Sequence, residues 1–192
     1  MEFHALLRKS RSYRRFDEGE KMPLSLLREF VANVRLTPSP ANLQPLKFVL
    51  VNRESTGKRL FKHLKWAAYL SDWQGPEEGE RPTAYIVMLG NRSMSMHIGW
   101  DYGIALQTIM LSATERGFGG CAIAACDKEK IRTMLDIPPE YEIAVVIALG
   151  KPIEKVAIDE VVRGDIKYWR DEAGVHHVPK RSVDDLILKE YK

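Results

Sequence analysis

The sequence predicts an α+β fold, with a central, mostly antiparallel sheet carrying helices on both faces. Three observations lead there. Four short apolar runs, at 46–51, 84–89, 121–125 and 143–149, have the length and composition of buried strands. Segments with helical spacing of apolar residues alternate with them. The longest of these segments is apolar nearly all round, so it must be covered on more than one side.

The elements follow in order. Pro23 sits where a first helical residue tolerates proline, and Leu24, Leu27, Val31 and Val34 then recur at helical spacing. Pro38 stops that helix, which makes Ser39-Pro40-Ala41-Asn42 an ordered, non-helical loop. A buried strand is expected over 46–51 and a basic amphipathic helix around 56–70. The polar, turn-rich stretch 74–80 is expected to be mobile, a surface loop rather than a lid. The strand at 84–89 precedes a long helix over 95–116 that Gly117 ends.

On that helix Trp100, Ile104 and Leu111 share one face, Ile98, Ala105 and Ile109 another, and Leu106, Met110 and Ala113 a third. One side can pack on the sheet while another meets a partner chain. A central helix inside a monomer is the alternative; a homodimer is favoured. Asp127 caps a short helix running through Leu135, and Ser182 with Asp185 resembles a capping box opening the last helix.

Composition narrows the function. At 192 residues, with 45% hydrophobic and 29% charged residues, the chain is expected to form one globular domain over 1–192. No stretch approaches the roughly 20 apolar residues of a membrane span. The N-terminal residues have no apolar signal core, so a cytoplasmic location is expected. Cys121 and Cys126 lie in one apolar run and make no disulfide framework. A net charge of +3 with dispersed basic residues argues against nucleic acid. The local basic clusters, Arg8 to Arg15 and Lys180-Arg181, suit a small anion better than a polymer.

Three segments carry chemistry. Arg11-Ser12-Tyr13-Arg14-Arg15-Phe16 can converge guanidinium groups and a hydroxyl on a phosphate, because the arginine fork donates two parallel hydrogen bonds to an oxyanion. Short basic runs are also ordinary solvated surface. Pro38-Ser39-Pro40-Ala41-Asn42-Leu43-Gln44-Pro45 is stiffened by three prolines and offers Ser39, Asn42 and Gln44 from fixed places. It suits the edge of a flat heteroaromatic ring, or equally a connector whose polar groups satisfy its own backbone. Gly117-Phe118-Gly119-Gly120-Cys121 continues through Ala125 into Cys126-Asp127. Its order is helix, glycines, strand, the reverse of a dinucleotide fingerprint. Its small residues allow a planar ligand close to the backbone.

Together, in this order, these segments resemble the nitroreductase family of FMN-dependent enzymes. The first is similar to that family's R-S-x-R-x-F element and the second to its P-S-x-x-N-x-Q-P element. The run from Asp101 through Cys121 resembles its central helix and G-L-G-T-C-type turn, and Ile147 to Pro152 the strand ending in G-x-P. The resemblance implies a dimer with exchanged C-terminal segments and one FMN at each of two shared sites. It places Arg11 and Ser12 on the FMN phosphate and Arg14 nearer the pyrimidine edge, where positive charge favours the reduced anionic flavin.

Pro38, Ser39 and Pro40 would cover a flavin held mainly by the other subunit, with Asn42 and Gln44 close by. Ile123, Ala124 and Ala125 would pass the reactive edge, the Ala124 amide facing flavin N5. Lys180 and Arg181 would complete the phosphate cradle. The implied activity is ping-pong: NADH or NADPH gives hydride to the flavin, and a nitroaromatic, quinone or enone then takes it. No catalytic side chain is implied. The alternative is a protein that stores or senses FMN without turnover.

The sequence departs from the family pattern at Ala122, where a bulky aromatic is common, and at Ala124, where glycine is common. Residues 71–82 are too few for the extra helical lobe of some members, so a more open site is implied. Trp169, His176 and His177, in the tail segment 165–178, have no role under the resemblance and read as packing or surface. His176-His177 lacks further ligands at metal spacing, so no metal site is expected. Asp159-Glu160 and Glu77-Glu78 read as solvated carboxylates.

Overall fold

The computed structural model describes residues 1–95 and 98–192. The chain divides into two compact units: Met1–Trp66 with Gln74–Ile153, and Ala67–Trp73 with Glu154–Lys192.

The first unit is built on a five-stranded sheet. Strand β1 is Phe16–Asp17, β2 Leu46–Val51, β3 Ala84–Asn91, β4 Gly119–Ile123 and β5 Tyr141–Pro152. The long β5 is the hub. β3 lies along one edge of it, with Ala84 opposite Leu149, and β2 lies outside β3, with Val51 opposite Tyr85. Its other edge takes β4, with Gly120 opposite Leu149, and then β1, with Phe16 opposite Pro152. Every one of these pairings is antiparallel.

Helices cover both faces, as the apolar runs require. Ala84, Ile86 and Met88 of β3 join Leu27 and Phe30 of α2 (Leu24–Val34) and Ala105, Ile109 and Ala113 of α4 (Gly99–Glu115) in one core. The alternate β3 residues Tyr85, Val87 and Leu89 are equally buried on the opposite face. There α3 (Glu54–Phe61) brings Gly57 so close to Tyr85 that an added Cβ would sit 3.3 Å from the ring. Each fully buried aliphatic side chain contributes about 1.5–3 kcal/mol. Among the described residues no helix is long and apolar enough to cross a membrane.

Several boundaries differ from those expected. The helix predicted around 56–70 ends at Phe61. Beyond it Leu64 bridges Cys126, the Lys65 amide donates to the Ala125 carbonyl at 2.9 Å, and Trp66 is buried. A distant segment has captured the backbone that periodicity alone would continue. The helix predicted from Ser95 starts at Gly99; part of the intervening expectation, residues 96–97, lies outside the described residues. Its predicted end holds. Gly117 takes φ +78°, its amide donates to Thr114, and the Phe118 amide reaches back to Ala113 at 2.8 Å, a Schellman motif.

The 39–42 segment contains a single 3-10 turn over Pro40–Asn42, with Ala41 itself at φ 50°. β4 starts two residues earlier than the expected 121–125 and leaves Ala124 and Ala125 beyond its end. The stretch 74–80, expected to be mobile, is tethered. Glu80 forms a bidentate ion pair with Arg15, the Phe16 amide donates to the Glu80 carbonyl at 2.9 Å, and the Gly79 amide donates to Glu18 at 2.7 Å.

The second unit holds β6 (Val156–Glu160) parallel to β8 (His176–Lys180), with β7 (Trp169–Arg170) antiparallel on the other side of β8. Arg170 donates to the buried Glu154 carboxylate at 2.6 Å, and its guanidinium lies 4.8 Å from the Trp73 ring. The expected capping box is present: Asp185 N donates to Ser182 Oγ at 3.1 Å and Ser182 N to Asp185 Oδ2 at 3.3 Å, opening α6 (Val183–Leu186).

Candidate functional site

α1 (Phe3–Lys9) delivers the chain to the free edge of β4. There Ser12 forms a parallel bridge with Gly120, and the Tyr13 amide donates to the Gly120 carbonyl at 2.9 Å. Two of the segments singled out by chemistry are thus joined across more than a hundred residues of sequence. The glycines are what allow it. A Cβ at Gly119 would lie 2.6 Å from the Tyr13 ring, and one at Gly120 would lie 2.6 Å from the Ala148 carbonyl oxygen. Beyond the strand Ala124 and Ala125 are exposed, so small side chains line the outer surface as the sequence suggested.

The polar groups at this edge are oriented from below. Tyr13 Oη donates to the Lys9 carbonyl at 2.7 Å, and Arg11 Nη2 donates to the Leu7 carbonyl at 2.5 Å, each to a residue four positions earlier in α1. Ser12 is exposed between them. Arg14 is only 8% exposed, and its Nη1 donates to the Ser12 carbonyl at 3.3 Å.

Arg11 Nε is buried and has no acceptor among the described residues. Arg81 and Arg170 also bury an Nε without an acceptor, but their guanidinium groups lie over the Phe61 and Trp73 rings, each at 4.8 Å. The aromatic face offsets part of that cost. Arg11 has no such ring among the described residues. A buried N–H without an acceptor costs about 1–3 kcal/mol, which an oxyanion arriving at Arg11 would offset.

The Pro38–Gln44 loop forms a second arrangement. Ser39 Oγ donates to Asp101 Oδ1 at 2.6 Å and accepts from the Gln44 amide at 2.9 Å. Gln44 Nε2 folds back on Asn42, 3.1 Å from both its carbonyl and its side-chain oxygen. Ala41, Asn42 and Gln44 all have positive φ, near 50–55°, a conformation non-glycine residues adopt only where the surroundings hold them. Pro38, Ser39 and Gln44 line a cavity of about 590 Å³ with Val31, Phe48 and Asp101. That volume is in the range of small-molecule sites.

The expected site residues therefore fall into groups. Arg11, Ser12 and Arg14 come together with the strand that leads through Ile123 to Ala124 and Ala125. Pro38, Ser39 and Gln44 share a cavity wall; Pro40 and Asn42 belong to the same loop without lining it. Lys180 and Arg181 are exposed in the second unit, where the Lys180 carbonyl accepts from the Val161 amide at 3.1 Å.

Sequence reasoning gave Asp101 no role, although a carboxylate in an otherwise apolar helix was a usable signal. It also missed Glu80, whose partner Arg15 is 65 residues away. Asp159, read as solvated, instead receives His177 Nδ1 at 2.8 Å. His177 Nε2 lies 3.3 Å from Asp171, and the ring stacks on Trp169 at 4.2 Å. The hydrogen bonds to Asp171 and Asp159 raise the imidazole pKa, while the Asp171 carboxyl is lowered, first by the Val175 amide. Burial raises the Cys126 thiol. Both cysteines are free, as expected.

Known proteins share this architecture. The profile of the Nitroreductase family matches residues 7–151. A Thermus thermophilus protein named NADH dehydrogenase is 26% identical over 175 residues, covering 77% of this chain and 85% of its own. The crystal structure of a nitroreductase family protein from Clostridium novyi NT superposes with a TM-score of 0.67 at 25% identity, over 79% of this chain and 86% of that one. An FMN-dependent nitroreductase from Clostridium difficile R20291 superposes with a TM-score of 0.64 at 22% identity, over 80% and 89%. The matched span contains the β4 edge, the Pro38–Gln44 loop and the sheet of the first unit up to Lys151, and on that basis the chain belongs to the nitroreductase family.

Proposed function

We propose that this protein is an FMN-dependent oxidoreductase that takes hydride from NADH or NADPH and passes it to a small organic acceptor of the nitroaromatic, quinone or enone type. The observation that carries this reading is the Ser12–Gly120 bridge. It sets the buried Arg11 Nε–H, which has no acceptor among the described residues, beside a strand edge built from glycine and alanine. Family membership and the names of the Thermus and Clostridium difficile relatives, NADH dehydrogenase and FMN-dependent nitroreductase, point the same way.

The residues present fit FMN. Arg11 and Ser12 would hold its phosphate, Arg14 would lend positive charge to the pyrimidine edge, and the Ile123–Ala125 backbone would lie along the ring. The flavin supplies the redox step, accepting a hydride and later releasing it. The chain's own contribution is placement and charge. Exposed Ala122, Ala124 and Ala125 would present only small side chains to a planar partner, donor first and acceptor after it in a ping-pong cycle.

The protein acts as a homodimer in this reading. Trp100 on α4 is 71% exposed, and Val183, Leu186, Leu188 and Tyr191 near the C-terminus are exposed as well, the apolar display of a chain that hands its end to a second copy. Pro38, Ser39 and Pro40, with Asn42 and Gln44, would then wall the second copy's flavin, and Lys180 and Arg181 would complete a phosphate cradle.

Anaerobic stopped-flow mixing of the FMN-loaded protein with NADH and with NADPH tests the proposal. Bleaching of the flavin absorbance, and its recovery on adding a quinone, is the expected result. Bound flavin that bleaches with neither nucleotide would leave a flavin carrier instead of a reductase.

A further inference from the structure

A groove of about 490 Å³ lies on the first unit, lined by Arg59 of α3 and by Lys62 and His63 just after it, facing Glu129, Lys130 and Thr133 of α5 (Lys128–Leu135). Its cations are not equivalent. Lys130 is paired with Asp127 at 3.2 Å, and Lys58, next to the groove, with Glu54. Arg59 and Lys62 form no ion pair among the described residues, and both are exposed. Lys62 caps α3 with its backbone still helical, so a three-residue spacing keeps it on the same side as Arg59. The groove is therefore a positively charged concavity, with Glu129 the one carboxylate among its described lining residues and Asp127, the partner of Lys130, beside it.

Its position matters more than its charge. The chain just after α3 is tied to the chain leaving β4. Leu64 bridges Cys126, the Asp127 amide donates to the His63 carbonyl at 2.9 Å, and the Lys65 amide donates to the Ala125 carbonyl at 2.9 Å. His63 lines the groove; Ala125 ends the exposed alanine edge. An extended residue spans about 3.3 Å, so this short ladder puts the groove within reach of a dinucleotide whose nicotinamide lies at that edge.

We propose that this groove receives the 2′-phosphate of NADPH and makes NADPH the preferred donor, an inference that rests on the reductase reading above. A phosphomonoester dianion gains ion-paired hydrogen bonds from Arg59 and Lys62 through three acceptor oxygens, where the 2′-hydroxyl of NADH offers one neutral acceptor and no ion pair. The preference is one of binding and involves no further chemistry.

Isothermal titration of the FMN-loaded protein with adenosine 2′,5′-bisphosphate and with adenosine 5′-monophosphate separates this inference from the reductase reading, since neither ligand carries a nicotinamide. The bisphosphate should bind at least about tenfold more tightly, the factor that one charge-assisted hydrogen bond carries. Both substituted side chains being exposed, Arg59→Ala with Lys62→Glu should fold normally and erase the difference. Equal affinity for the two ligands, or a preference that survives in the double variant, overturns the proposal. Flavin that bleaches with neither NADH nor NADPH defeats the reductase reading, while the bisphosphate comparison decides this one.

Discussion

Arg11, beside β4, and His177, within β8, are both polar, chemistry-bearing side chains, and the structure treats them in opposite ways. Both nitrogens of His177 face carboxylates, Asp159 at 2.8 Å and Asp171 at 3.3 Å, and its ring is stacked on Trp169. Among the described residues Arg11 keeps one buried N–H without an acceptor and has no aromatic face to compensate. The difference teaches where to look for a ligand: residue type does not separate a site from a structural clamp, but the state of its hydrogen bonds does. Ser39 stands between the two, with its hydroxyl fully engaged and yet on the wall of a cavity.

The largest expected effect comes from breaking the Arg11 side. Arg11→Ala with Arg14→Ala should weaken FMN binding by about 3–6 kcal/mol, two charge-assisted hydrogen bonds at about 1.5–3 kcal/mol each, read as flavin lost during gel filtration. Undiminished occupancy in the double variant would remove the site from this edge. Next is the strand that carries it. Gly120→Ala places a Cβ 2.6 Å from the Ala148 carbonyl oxygen, so β4 must shift away from β5. A loss of about 1–3 kcal/mol in denaturant unfolding is expected, with weaker flavin binding beside it.

Ser39→Ala should act on stability first. It strips a hydrogen bond from the buried Asp101 carboxylate and another from the Gln44 amide, a loss of about 1–2 kcal/mol in the same assay. An effect on flavin binding as large as that of the arginine pair would show that the loop grips rather than walls.

The smallest effect is expected from His177. A neutral imidazole donates through only one nitrogen, so its two carboxylate neighbours favour the doubly protonated ring. Its pKa is raised, and the stability it adds is therefore fully present below the ordinary value of 6.5 and lost as pH rises through the higher folded value. An NMR titration of the ring should give a midpoint above 6.5; one at or below it would mean that Asp159 and Asp171 do not hold the charged form. FMN binding should be indifferent to His177→Gln.

What the sequence made legible follows the range of the interactions. The strands around Ile86 and Ile147 were readable because both faces are buried and the runs are continuously apolar. Gly117, Asp127 and the Ser182–Asp185 pair were readable because caps are local. The end of α3 was not, since it depends on Leu64 meeting Cys126, and neither was the tether of 74–80 to Arg15. The site was legible as separate segments. That Ser12 would meet Gly120, and that His177 would be clamped by Asp159, are properties of strand register, which composition does not carry.

If Arg11 holds the FMN phosphate, the protein must prefer FMN to riboflavin, and the ratio of the two affinities reads that preference. Fluorescence titration of the flavin-free protein should give FMN an advantage of at least about a hundredfold, the equivalent of about 3 kcal/mol, with the advantage collapsing in Arg11→Ala. Equal binding of the two flavins, or an FMN advantage that Arg11→Ala leaves intact, would show that Arg11 does not hold the phosphate.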